Sequence, residues 1–302
     1  MLWNQFIQLN HVAKLPYKDQ LKEYYQYVNT VLTQQRTQQT TVQQSIGNGA
    51  SFTPLQLFAL GVKGVWFDAS DISTMFQDSA GTIPVTAAGQ SVGKWLDKSG
   101  NGNHATQTTA GARPTYQVDA NGYPNVTFDG SNDYMLTSNI DLSGTARVML
   151  GAGVNVIGSG SAAAALAFGT DISTVNGSFL FGAPGSATDH SLYVRGSSTL
   201  RAAINNVSDG ADILVGLFDI SQATKEAELI PRLNYTQLAG TQITWTGTDA
   251  GSGSFGNLPL YLGGYGSSLQ YNGAIYQVIV RGALSSATEV VQTENWIDTK
   301  LD

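Results

Sequence analysis

Cysteine is absent from all 302 residues. That removes disulfide frameworks, thiolate nucleophiles and zinc–thiolate sites. Charge is scarce: Asp, Glu, Lys and Arg make up 12% of the chain, about half the usual share. The 22 acidic residues outnumber the 15 basic ones, for a net charge of −7. Such a chain lacks the basic face that releases counterions from phosphate, so no nucleic-acid partner is expected. Long apolar runs are missing too. The best candidate, Ser161–Gly169 (SAAAALAFG), is far too short to span a bilayer. The first residues, MLWNQFIQLNHVAK, contain neither a basic n-region nor a continuous apolar h-region. No signal peptide and no membrane insertion are expected.

Glycine is missing from residues 1–46, and all 34 glycines lie from Gly47 onward. The first fifty residues carry Lys14, Lys18, Lys22 and Arg36 against Asp19 and Glu23, a balance of +2 that leaves −9 for the remainder. A basic, glycine-free leader thus precedes an acidic, glycine-rich body. In the leader, Leu21, Tyr25, Val28, Leu32, Gln35, Gln39, Val42 and Ile46 follow alternating four- and three-residue steps. This is a helical heptad seam with two Gln layers, which suits a coiled coil or a single amphipathic helix docked on another surface. Leu2, Trp3, Phe6, Ile7 and Leu9 form an apolar cluster ahead of Pro16, and these side chains need something to bury against. The expected division is a helical attachment or oligomerisation segment over 1–48, a linker over 49–60 and a body over 61–302. Trp3, Phe6, Leu21, Tyr25, Val28 and Leu32 are the expected anchoring residues.

The body reads as short strands between turn residues. Gly64–Asp68, Asn125–Phe128, Ala146–Asn155, Ala211–Ile220, Gln242–Thr246, Leu258–Leu262 and Ala274–Arg281 have strand character. Turn signals occur at Asn101-Gly102, Asn121-Gly122, Asp129-Gly130, Asp209-Gly210 and Asn272-Gly273. A closing helix is expected, with Ser285 or Ser286 as its N-cap and Glu289 in its first turn. The fold class predicted is all-β, an antiparallel sandwich preceded by an N-terminal α-helical segment.

Five blocks occur in one order: GVWFDAS (64–70), VGKWLDKSGNGNHATQ (92–107), RPTY (113–116), NVTFDGSNDYM (125–135) and LYLGGYGSSLQYNGAIYQVIVRGAL (260–284). In this order they resemble a concanavalin A-like lectin/glucanase domain, of the laminin-G-like sort common in bacteriophage virion proteins. The resemblance covers about residues 60–302 and implies a jelly-roll sandwich. It also implies a virion structural protein of the tail fibre or spike kind, located on the phage particle. Residues 1–48 would contact other virion proteins or form a homo-oligomer, with a trimer favoured. The body would bind host-surface glycan. Two further classes remain open: a capsid or tail decoration or connector protein using the fold for protein contact alone, and a glycan hydrolase.

Hydrolysis on this fold needs two carboxylates flanking the glycosidic bond, typically Glu-x-Asp-x-Glu on one strand. The chain has five Glu residues (Glu23, Glu226, Glu228, Glu289 and Glu294) and none forms that pattern. No catalytic residue is assigned, and the chain is expected not to be an enzyme. Glu226-Ala-Glu228 comes nearest, within a segment that reads as solvated. His11, His104 and His190 show no metal-site spacing. Asp129, Asn132 and Asp133 supply oxygen ligands for Ca²⁺, or serve a hairpin turn equally well. No other cofactor is expected. Sugar recognition uses flat aromatic faces beside polar groups, and the candidates in loops are Trp245, Tyr265, Tyr271 with Asn272, and His190 with Tyr193.

Overall fold

Two antiparallel sheets face each other in a computed structural model that describes residues 52–301, except 159–161, 187–188, 206, 208–209 and 266–267. The leader expected to be helical, with the expected anchoring residues Trp3, Phe6, Leu21, Tyr25, Val28 and Leu32, lies outside the described residues. The chain divides into two compact units, Met1–Phe52 and Thr53–Asp302.

The eight-stranded sheet runs β15 (Thr236–Gln237), β14 (Leu229–Leu233), β13 (Ala211–Asp219), β8 (Arg147–Val156), β18 (Asn272–Arg281), β6 (Pro124–Asp129), β5 (Thr115–Val118). β6 pairs with the first part of β18, and β1 (Gly64–Asp68) pairs with the last part. The ten-stranded sheet runs β16 (Ile243–Thr246), β12 (Thr199–Ile204), β11 (Asp189–Arg195), β10 (Ser178–Ser186), β9 (Ala164–Phe168), β17 (Asn257–Leu262), β7 (Met135–Asp141), β4 (Ala105–Thr106), β3 (Lys94–Trp95), β2 (Met75–Phe76).

Strand alternation sends every second side chain between the sheets. Val148, Leu150, Ala152 and Val154 of β8 and Val278 and Val280 of β18 meet Phe168, Phe179, Leu192 and Leu260 from the opposite sheet. Phe168 stacks on Phe179 with ring centroids 4.9 Å apart, and Phe179 stacks on Phe218 of β13 at 5.4 Å. This aromatic column spans the two sheets.

The other face of the eight-stranded sheet carries α2 (Ala287–Asp298); α1 is the single turn Lys225–Glu228. Ser286 and Glu289 close a capping box at the start of α2, satisfying backbone donors that the first turn leaves open. Beneath the helix, β8 places glycine. A Cβ at Gly153 would lie 2.8 Å from Ile297 Cγ2, so the helix approaches the sheet as closely as it does because no side chain intervenes. Glu294 of α2 is buried and accepts two bonds from the Arg232 guanidinium of β14, at 2.8 and 2.9 Å.

Two expectations change here. Pro54–Gly61, all but its last residue within the stretch expected as a linker, forms a 3₁₀ segment whose Leu57 and Phe58 are buried, and the Leu57 carbonyl accepts from Arg281 Nε. It belongs to the body because two large apolar side chains find cover there. Asn272-Gly273, expected as a hairpin turn, lies inside the start of β18, paired with Asp129 and Phe128.

Candidate functional site

The six residues expected to face a sugar separate into two groups. Tyr271 is fully buried, its hydroxyl 2.9 Å from the Asn155 carbonyl, and burial holds its phenol far above the ordinary range. His190 points between the sheets, edge-on to Phe181, with Nε2 3.0 Å from Asp212 Oδ2 on the facing sheet. Trp245 stands opposite Ala202, on the core side of β16. It packs against the core, with Lys225 Nζ 5.7 Å from its ring centroid. None of these three presents an open aromatic face. Asn272 is exposed at the head of β18, and its carbonyl accepts from the backbone of Ile157 and Gly158. Tyr193 and Tyr265 lie half-buried on the outer face of the ten-stranded sheet.

That outer face has a register of its own. From one edge of the sheet to the other, Thr246, Arg201, Tyr193, Leu180, Ala167, Tyr261, Leu136, Thr106, Lys94 and Phe76 are successive cross-strand partners. One straight row therefore crosses all ten strands. Its middle, Leu180 and Ala167 with Ala164 beside them, is buried under Ile172, Tyr193, Tyr261 and Tyr265. Ile172 comes from the segment after β9 and Tyr265 from the segment after β17. The three tyrosines are half-buried. Tyr265 meets Tyr261 edge-on at 6.2 Å, and Tyr134 is tilted against Tyr261 at 6.4 Å. Burial pushes the phenols of Tyr261 and Tyr265 above their ordinary value. At this face they are neutral groups presenting ring surface, and the Tyr265 hydroxyl itself is buried.

The sequence reading missed Tyr134, Tyr261 and Arg201 as site residues. Tyr261 sits between Leu260 and Leu262, and Arg201 between Leu200 and Ala202, so alternation already assigns both to the face opposite the core. What alternation could not supply was their alignment with Tyr193.

The acidic candidates serve turns. Asp129 Oδ1 accepts from the backbone N–H of Ser131, Asn132 and Asp133, at 2.8, 3.2 and 3.4 Å. Asn132 donates to the Gly111 carbonyl, and Asp133 Oδ2 accepts from the Asp129 backbone. Burial first, and the Asp129 charge second, push the Asp133 carboxyl up to about 6. Among the described residues no group of three His, Cys, Asp or Glu side chains is placed to hold a metal ion. In the WLDKSGNGNHA block, Asp97 accepts from Trp66, Ser99 and Asn103, which ties the turn to β1. The Glu226–Glu228 segment departs from its solvated reading: it is a helical turn, and Glu228 is buried with its carboxylate on the Ala250 N–H.

No family model and no curated protein matches the sequence. Solved structures do match the fold. The Trypanosoma rangeli sialidase bound to the inhibitor DANA is similar at 10% identity and TM-score 0.51, over 90% of this chain and 38% of the sialidase. The sandwich is shared with a glycosidase. The binding domain of Paraclostridial Mosquitocidal Protein 1 is similar at 9% identity and TM-score 0.49, over 70% of this chain and 51% of that one. An arabinofuranosidase complexed with arabinofuranosyl-α-1,2-xylobiose is similar at 16% identity and TM-score 0.46, over 82% and 65%. This chain thus spans well under half the length of the sialidase. The expectation that the chain is no enzyme is corrected on this finding. A sialidase stands among the chains that share this sandwich, so the missing Glu-x-Asp-x-Glu is no ground for excluding an enzyme.

Proposed function

We propose that the body is a glycan-binding module of a bacteriophage structural protein of the tail fibre or spike kind, attached or trimerised through residues 1–48. The observation that supports glycan binding is the in-register row on the ten-stranded sheet, with Tyr193 and Tyr261 in line and Tyr134 and Tyr265 beside Tyr261. Tyrosine ring faces stack on the apolar face of a pyranose, and their hydroxyls reach its polar edge. The likeness in fold to a sialidase bound to the inhibitor DANA accords with this reading. The virion placement rests on the five resembling sequence blocks together with the heptad-patterned leader.

The test is binding of the full chain to an immobilised glycan panel, compared with Tyr261→Ala. The expected result is a defined bound set whose affinity falls about tenfold in the variant. Binding that is unchanged in Tyr261→Ala overturns the site assignment.

A second reading, a decoration or connector protein, is favoured by one observation. Ile172 and Tyr265 fill the middle of the face, where Ala164 and Ala167 have no exposed surface. A flat, filled face suits a protein surface better than a single sugar chain. A silent glycan panel, with the chain retained on purified phage particles, would support this reading over the first.

A further inference from the structure

The ten-stranded sheet carries two guanidinium groups, Arg195 and Arg201, and among the described residues neither meets a carboxylate. Among the described residues, Arg147, Arg232 and Arg281 each pair with a carboxylate, at 2.8 to 2.9 Å. Arg113 and Arg195 spread their nitrogens over carbonyl, amide and hydroxyl oxygens. Arg201 shares with Arg113 and Arg195 the lack of an acid, and differs from them in that its two bonds converge on one hydroxyl instead of spending the whole fork on separate acceptors. Its Nε and Nη2 both donate to the Ser191 hydroxyl, at 3.2 and 2.9 Å, and its Cζ lies 5.4 Å from the Tyr193 ring centroid. No carboxylate of the described residues reaches it, in a chain whose acids outnumber its bases by seven. The group is half-buried and held in place from two sides, and among the described residues Nη1 meets no acceptor.

Its surroundings supply what a saccharide needs beside a charge. Thr246 is the direct cross-strand partner of Arg201 on the edge strand β16 and is exposed. Tyr193 follows in the same row, and Tyr261 stands three strands beyond Tyr193. At about 4.8 Å per strand, that places roughly 14 Å between the two tyrosines, the reach of two to three sugar units. A guanidinium presents a planar fork matched to a carboxylate. Fixing it in advance on Ser191 and Tyr193 lowers the ordering cost of binding.

We propose that Arg201 is the anion-recognising residue of this face and that the glycan bound is an acidic one, carrying a sugar carboxylate placed on Arg201 while neighbouring units lie toward Tyr261. This inference rests on the glycan-binding reading above and narrows it.

The experiment uses the full chain on paired glycans of one backbone, with uronic carboxylates intact or reduced to the primary alcohol. A sulfated counterpart is included. Wild type, Arg201→Gln, Arg201→Lys and Tyr261→Ala are compared. The expected result is binding of the carboxylate form over its reduced partner by about 10- to 100-fold. Arg201→Gln should abolish that preference, and Arg201→Lys should keep part of it. Preference for the sulfated form over the carboxylate overturns the carboxylate assignment. Equal binding of intact and reduced forms by wild type and Arg201→Gln, with loss in Tyr261→Ala, overturns the inference and leaves the glycan-binding reading standing. No binding to any member of the panel overturns both.

Discussion

At the scale of single residues, Asp133 shows what burial does to a charge in this protein. Its carboxyl stands at about 6 against an ordinary 3.8, because burial and the nearby Asp129 charge both disfavour ionisation. Between about pH 4 and 6 the unfolded chain has released this proton while the folded protein still holds it. Stability therefore falls as pH rises through that window and levels off above it. Asp133→Asn keeps an oxygen for the Asp129 N–H and removes the charge. It should raise stability at pH 7 by on the order of 1–3 kcal/mol. It should also flatten the fall between pH 4 and 6, read by urea denaturation across that range. An unchanged pH profile would show that Asp133 titrates in the folded protein as it does in the unfolded chain.

Also at residue scale, three of the six sugar candidates met a different fate from the one their loop-rich neighbourhoods suggested. Tyr271 stands among Gly, Ser and Asn in the sequence, yet it is fully buried against the Asn155 carbonyl. Polar neighbours in sequence report on solvent along one short segment. They say nothing about the opposite sheet that closes over the side chain.

At the scale of elements, the helix α2 was legible and its seat was not. Ser286, Glu289 and the apolar positions Val290 and Ile297 mark its start and its inward stripe. The seat is made by Gly151 and Gly153 of β8 and by Arg232 of β14, far away in the chain. Glu294 is only 1% exposed, so losing it strands the Arg232 charge against the helix. Glu294→Ala should cost on the order of 3 kcal/mol. A Glu294→Met, Arg232→Met double variant should recover most of that loss, since two apolar groups of similar volume need no partner. Chemical denaturation of wild type, Glu294→Met, Arg232→Met and the double variant forms a double-mutant cycle, and additive losses would deny the coupling.

Strands divided the same way. β1 is found over Gly64–Asp68, the span read from the sequence, and β8 and β18 fall within a residue or two of theirs. Long alternating or apolar runs carry their own period. β2, β3 and β4 have two residues each, too few to show any period. β9 lies inside the apolar run SAAAALAFG with every residue buried, because its outward side chains are covered by Ile172, Tyr261 and Tyr265. A strand covered on both faces loses the alternation that would mark it.

At the scale of the whole molecule, the body contains a continuous core of its own within Thr53–Asp302. A chain beginning at Gly49 should therefore fold as the full chain's body does. If the leader is an oligomerisation coil, light scattering should give a trimer for the full chain and a monomer for the shortened one. A monomeric full chain would remove the coiled coil and make residues 1–48 an anchor to another protein.

The sequence alone determined the class of the fold and the capped final helix. It did so because those features depend on local period, glycine distribution and capping chemistry within a few residues. Only the tertiary structure decided the functional face. The row from Thr246 to Phe76 draws each residue from a different strand, and its alignment depends on strand order and register set by pairings distant in sequence. The same long-range packing buried Tyr271 and His190, turned Trp245 to the core and left Arg201 on the outside with no acid beside it.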